Sequence, residues 1–252
     1  MFDLTITAAS NTGCVREHNE DMLLVGDRFV RDDKIEMQVP LDGVDRFLLA
    51  LADGMGGHRS GDVASSEVLH NLQFFFSDIP AQLSPGSLNE AICEWLSSIN
   101  NIIESRGHVD PACQGMGTTL VALAYYDRQF YSLNCGDSRL YLMHEGKLQQ
   151  LTTDHSLNSL IGNPEHCSII TNCIGGGCKN SYIDMVQCTG DLHLGDTVLI
   201  CSDGLSDMLD DATLQRLLIE GCSAEALCLA AEEAGGYDNV SAIVARMTAT
   251  AQ

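Results

Sequence analysis

The chain has 252 residues, 45% of them apolar, enough for a sizeable core in one large domain or two small ones. Its formal charge of −22, from 13 basic against 35 acidic residues, argues against a nucleic-acid groove or an anionic membrane surface as partner. No apolar run is long enough to span a bilayer, and the 11 cysteines are odd in number, scattered, and free of any Cys-x-x-Cys pair.

Residues 3–9 alternate as a strand should and carry an acid early, so no signal peptide is expected. A polar stretch at 11–21 leads to a short apolar run at 22–25. Residues 26–45, charged and turn-rich, predict a hairpin tip or loop. The run Phe47-Leu-Leu-Ala-Leu-Ala is apolar on both faces, which predicts a buried strand, and it ends abruptly in Asp53-Gly-Met-Gly-Gly-His58. Val63, Ala64, Val68, Leu69, Leu72, Phe75 and Phe76 then fall on one helical face. Prolines and a glycine at 78–86 break that helix, and Leu88, Ile92, Leu96, Ile99 and Ile103 mark a second one, with Trp95 beside its stripe as a packing residue.

From Gly117 the period shortens to strands at 118–126, 130–134, 140–143 and 148–151, with a hairpin turn at Glu145-Gly146. Residues 154–181 are loop-like. Strands at 183–188 and 197–201, helices near 211–220 and 223–234, and a closing strand at 240–247 complete the chain. This order predicts a layered α+β fold rather than regular βαβ alternation, and no linker or repeat divides residues 1–252 into more than a single domain. The cysteines read as small apolar core residues of a reducing, cytoplasmic protein, and the absence of a coiled coil or long apolar stripe suggests a monomer.

Acidic residues recur at strand ends and in glycine-rich turns: Glu20-Asp21, Asp53-Gly54, Gly136-Asp137, Asp203-Gly204 and Asp238-Asn239. An Asp-Gly pair alone is an ordinary turn. However, Val198-Leu-Ile-Cys201 delivers Asp203 to a strand terminus just as the run before Asp53 does, which weakens the turn explanation. Aspartates gathered from distant segments without histidine or cysteine favour hard cations with oxygen ligands, magnesium or manganese above all. Calcium competes, but no EF-hand loop or glycine-aspartate nonapeptide repeat is present.

Seven motifs occur in order: Arg16-Glu-His-Asn-Glu-Asp21, Asp53-Gly-Met-Gly-Gly-His58, Gly117-Thr-Thr119, Gly136-Asp-Ser-Arg139, Asp154-His-Ser156, Ser202-Asp-Gly-Leu205 and Asp238-Asn-Val-Ser241. Together they resemble the bacterial form of the PP2C (PPM) family of metal-dependent protein serine/threonine phosphatases. The resemblance implies a four-layer α-β-β-α sandwich with two central antiparallel sheets and the metals at one end. It implies that Asp53 bridges two Mn2+ or Mg2+ ions, and that Asp203 and Asp238 complete the first ion's ligands. The Gly54 carbonyl would serve the second ion, which Glu20 and Asp21 hold mainly through waters. Asp137, with Asp203, matches a third, weaker site. Arg16 matches the arginine that grips the substrate phosphate with its two-pronged donor geometry. The glycines after Asp53 read as space for the ions.

The implied activity is hydrolysis of phosphoserine and phosphothreonine in proteins by direct attack of a metal-activated water, opposing a serine/threonine kinase. The cysteine-phosphatase alternative needs a Cys-x5-Arg loop, which is absent. His58 is either a solvated first-turn histidine or a proton donor or substrate contact; eukaryotic relatives place the general-acid histidine directly after the Asp-Gly pair, where this chain has Met55. His155 is expected to structure its own loop, and Asn239 to orient the neighbouring aspartate. The stretch 158–177 is short, which implies a reduced substrate-gating flap. A catalytically silent regulatory or binding module is the alternative from another class, but Asp53, Asp203 and Asp238 are all present. A metal-dependent nuclease conflicts with the charge.

Overall fold

In the computed structural model, which describes residues 2–56, 60–161 and 169–250, the apolar runs become strands and the amphipathic stretches helices. The first half of the chain holds β1 (Asp3–Asn11), β2 (Met22–Val25), β3 (Arg28–Val30), β4 (Asp33–Pro40), β5 (Arg46–Ala52) and β6 (Gly54–Met55). Two long helices follow, α1 (Ser60–Asp78) and α2 (Pro85–Val109). Next come β7 (Gly117–Thr118), β8 (Leu120–Tyr126), β9 (Gln129–Cys135), β10 (Arg139–His144) and β11 (Lys147–Gln150). The remainder comprises α3 (Leu157–Ile161), β12 (Ile174–Gly175), β13 (Asp184–Gln187), β14 (Thr197–Cys201), α4 (Asp203–Ser206), α5 (Asp211–Ile219), α6 (Ala224–Glu233) and β15 (Val240–Thr248).

Two six-stranded antiparallel sheets face one another, one ordered β11-β10-β14-β15-β1-β4 and the other β13-β9-β8-β5-β2-β3. The side-chain period of two explains why the central strands are apolar throughout. In β5, Leu49 and Leu51 enter the core between the sheets with Ile6, Val121 and Ile243, whereas Leu48, Ala50 and Ala52 meet the helices α1 and α2. In β15, Ile243 and Ala245 face the inter-sheet core, while Ala242 and Val244 pack beneath α5 and α6 with Leu214 and Leu227. The result is the four-layer sandwich that the resemblance implies. Trp95 is buried in the outer core and donates its indole N–H to Asn71 Oδ1 at 2.7 Å. Six of the ten described cysteines are buried, and all ten are free thiols. Among the described residues, no helix is long and apolar enough to cross a membrane.

Two expectations change. The segment 26–45 is not a loop: it contains β3 and β4, and β4 pairs with β1 from Asp3↔Pro40 to Ser10↔Asp33. Both are edge strands, so their charged residues sit on exposed faces while Val30 and Val39 still turn inward. The predicted strand at 118–126 is two strands in two different sheets, parted at Thr119. Residues 154–181 hold the short α3 and β12, and 162–168 of the expected flap lie outside the described residues.

Leu51→Ala, at the inter-sheet centre, should lower unfolding free energy by about 3 kcal/mol in urea denaturation. Leu229→Ala on the exposed side of α6 should change it by less than about 0.5 kcal/mol. Equal effects of the two would contradict this assignment of the core.

Candidate metal centre

β5 and β8 are paired up to Leu51↔Val121, and then both leave the ladder. Their continuations, β6 and β7, pair with each other in a separate three-stranded sheet, whose third strand, β12, lies on the other side of β7. Asp53 sits at this break. Its N–H donates to Thr119 Oγ1 (3.1 Å), and its carbonyl accepts from the Thr119 N–H (2.9 Å) and the Thr118 hydroxyl (2.8 Å). Thr119 Oγ1 is in turn 2.8 Å from Ser138 Oγ, which ties the break to the motif that carries Asp137. The two threonines thus fix the main chain of Asp53 without using its carboxylate.

Gly54 is required by close packing of the backbone. A Cβ there would collide with the Gly61 carbonyl and come within 2.6 Å of the Glu20 carbonyl, so the missing side chain lets the first turn of α1 and the segment before β2 close on β6. The Gly54 N–H donates to Glu20 O at 3.2 Å, and the Gly61 N–H reaches Glu20 Oε1 at 3.2 Å.

The other acids arrive from four directions. Asp21 lies just before β2 and is fully buried, and neither of its carboxylate oxygens accepts a hydrogen bond. The Ser241 and Ser202 hydroxyls lie near enough to ease its burial but not in bonding geometry. Arg31, which the motifs do not flag, holds the Asp21 carbonyl through Nε (2.7 Å) and α1 through Nη2 to Asp62 O (3.0 Å) and Ser65 Oγ (2.8 Å). Asp203 opens α4 directly after β14, and Asp137 lies between β9 and β10 with a buried Oδ1 that has no partner. Asp238 precedes β15; it accepts the Asn239 N–H at Oδ1 (2.8 Å) and Arg16 Nη2 at Oδ2 (2.6 Å).

Asn239 does more than orient its neighbour. Its Oδ1 accepts the Glu20 N–H at 2.9 Å, and its Nδ2 donates to the Thr12 and His18 carbonyls at 2.8 and 2.9 Å, so it staples the Arg16–Asp21 segment to Asp238. His155 is a scaffold residue, as expected: its Nδ1 accepts the Gly136 N–H at 3.1 Å, and its own N–H donates to Gly136 O at 2.9 Å. Arg139 forks onto Asp154 with contacts of 3.0 and 2.7 Å, joining two of the motifs. His58 lies outside the described residues.

Asp53, Asp137, Asp203 and Asp238 each keep an edge open to solvent, so with Asp21 they line a recess rather than a sealed cavity. Dense surroundings nonetheless disfavour their charged forms. Burial, and then the charges of Asp21, Asp203, Asp137 and Asp238, push the Asp53 carboxyl well above the usual range. Burial is also the leading cause for Asp21 and Asp137, both raised to about 7, and for Asp203, raised to about 6. Asp207, one turn beyond Asp203, adds to the repulsion felt by both Asp137 and Asp203 and is a further acid of this centre. Glu20 is raised by burial and relieved by the Gly61 N–H and Arg16. Clustered carboxylates with orphaned oxygens form a hard donor set that fits magnesium or manganese, which would supply the missing positive charge. The structure therefore brings Arg16, Glu20, Asp21, Asp53, Asp137, Asp203 and Asp238 to one end of the sandwich.

A family model described as protein phosphatase 2C matches residues 27–232. The chain is 34% identical over 256 residues to the serine/threonine protein phosphatase PstP of Mycobacterium tuberculosis, covering 96% of this chain but 45% of that relative. It thus spans about half the length of that protein. It is 29% identical over 249 residues to the serine/threonine phosphatase stp of Listeria innocua, covering 93% of this chain and 92% of the relative. A solved structure of the catalytic domain of PstP in complex with two manganese ions superposes with a TM-score of 0.73 at 32% identity, covering 97% of this chain and 99% of that one. The chain belongs to the protein phosphatase 2C family.

Proposed function

We propose that this chain is a metal-dependent phosphatase that hydrolyses phosphoserine and phosphothreonine in proteins and so opposes a serine/threonine kinase. The observation that carries the reading is the Asp53 cluster, in which both carboxylate oxygens of Asp21 and Oδ1 of Asp137 lack donors. The kinship with named serine/threonine phosphatases supports the substrate class.

Two ions, manganese or magnesium, would be held with Asp53 shared between them. Asp203 and Asp238 would serve one ion, and the Gly54 carbonyl with Glu20 and Asp21 the other. Asp137 and Asp203 would hold a third, weaker ion. Bound there, the ions supply an acidified water and charge neutralisation for the phosphoryl oxygens. The protein's own groups do the rest. Thr118 and Thr119 keep Asp53 at the sheet break, and Asn239 keeps the segment carrying Arg16 beside Asp238. Arg16 is half-exposed; anchored at Nη2 by Asp238, its guanidinium has further N–H donors for a phosphate oxygen at the rim of the recess.

Turnover of p-nitrophenyl phosphate and of a phosphothreonine peptide should require manganese and vanish with a chelator. Asp53→Asn and Asp203→Asn should fall to the chelated background while remaining folded; near-wild-type rates in either at saturating manganese would overturn the ligand assignment. Arg16→Ala should raise KM about tenfold or more, the cost of a charge-assisted contact, and an unchanged KM would remove it from the phosphate site.

The raised carboxyls also set a pH dependence. Folded values of about 7 for Asp21 and Asp137 and about 6 for Asp203 lie above the unfolded value near 3.9. Their contribution is then fully present below about pH 4 and is lost as pH rises through about 6 to 7. The chelated protein should melt lower at about pH 8 than at about pH 5, and excess magnesium should flatten that slope. A slope unaffected by magnesium would count against a cation in the cluster.

A further inference from the structure

A second cluster of ligand-type side chains lies far from the acidic centre. β10 starts at Arg139, the last residue of the Asp137 motif, and ends at His144, about 17 Å away at the rise of an antiparallel strand. β14 runs the opposite way beside it, pairing Arg139↔Cys201 through Met143↔Thr197, so Asp196 precedes the end of β14 that is remote from Asp203. His144 and Asp196 therefore meet at the opposite edge of the sandwich, where the turn before β14 also brings His193.

The Asp196 side chain is 5% exposed and has an imidazole on each oxygen: His144 Nδ1 lies 2.8 Å from Oδ1 and His193 Nδ1 3.6 Å from Oδ2. Oδ2 also accepts the His193 N–H at 2.8 Å. The backbone beneath is pinned to β15, with the Gly195 N–H on Met247 O and the Met247 N–H on Asp196 O, both at 2.9 Å. A buried carboxylate is thus fixed in place under two imidazoles whose side chains are 44% and 59% exposed and so reachable by an ion. His193 Nδ1 is also 3.1 Å from the Asp191 carbonyl; a proton shared there leaves Nε2 as the ligand atom.

One donor atom from each residue lies within 4.8 Å of the others. Tetrahedral coordination at zinc bond lengths needs a separation of about 3.4 Å, a change that rotation of exposed rings can supply. An ion pair with Asp196 would require only one histidine. The second ring, its centroid 5.1 Å from the first, adds like-charge repulsion whenever both are protonated. A cation shared by two neutral imidazoles and the carboxylate removes that repulsion.

We propose that His144, His193 and Asp196 form a second metal site, for zinc or a similar imidazole-preferring divalent ion, that clamps the end of β10 to the turn before β14. Imidazole donors set it apart from the all-oxygen acidic centre, so the two sites prefer different ions. The clamp stabilises this corner of the sandwich and takes no part in phosphate hydrolysis.

The test is calorimetric titration of zinc chloride into the full chain with magnesium in large excess, since magnesium competes for carboxylates far better than for imidazoles. Wild type should show a zinc-binding event, and a rise in melting temperature, that the His144→Ala/His193→Ala double variant lacks. The double variant should keep the wild-type circular dichroism and the wild-type manganese-dependent turnover measured without zinc. Asp196→Asn, which can still accept the His193 N–H, should weaken the event at least tenfold. Identical isotherms for wild type and the double variant would overturn the proposal.

Discussion

Carboxylates do not gather by mutual attraction, so the end of the sandwich that holds Asp21, Asp53, Asp137, Asp203 and Asp238 must be assembled by other forces. Hydrogen bonds to the main chain supply them. Thr118 and Thr119 grip the main chain of Asp53, Asn239 grips residues 12–20, and Arg31 grips the carbonyl of Asp21. Each of these bonds is made to backbone, which leaves the carboxylates facing one another. The apolar core between the sheets stabilises the scaffold enough to tolerate the repulsion, since the acids lie at the strand ends and not within the core. Forced proximity of like charges costs folding free energy in the bare chain, and a bound cation turns the same proximity into affinity.

The geometry of β5 and β8 connects this cost to the fold. Two paired central strands leave their sheet together and re-pair as β6 and β7 in a smaller one. The offset frees Asp53 from the ladder, and a glycine at 54 lets α1 and the Glu20 backbone close behind it. Arg16, paired with Asp238, sits at the solvent edge of the cluster.

Much of this was legible in the chain. The apolar runs before Asp53 and Asp203 are continuous because both faces of β5 and β14 are covered, and a carboxylate at the end of such a run is an anomaly that can be read directly. The ordered motifs then picked out the acids that the fold brings together. What escaped has a common cause. β4 reads as a loop because an edge strand can carry charge on its open face. The break at Thr119 is silent because Thr118 and Thr119 fit a strand equally well on either side of it. Arg31, Ser65 and Asp207 gave no signal, since their roles depend on partners brought near by folding. The close approach of two backbones at Gly54 was not foreseen, since close approach and room for an ion look alike in one letter.

The central claim is that the Asp53 cluster is maintained for a cation at the expense of the bare chain's stability. Melting of the wild type and of Asp53→Asn, each with chelator and each with saturating manganese, tests it most directly. With chelator at neutral pH the variant should melt above the wild type, because one of the mutually repelling carboxylates has become neutral; manganese should raise the wild type strongly and the variant little. A variant that melts lower than the wild type under chelation, and that manganese stabilises to the same extent, would contradict the account.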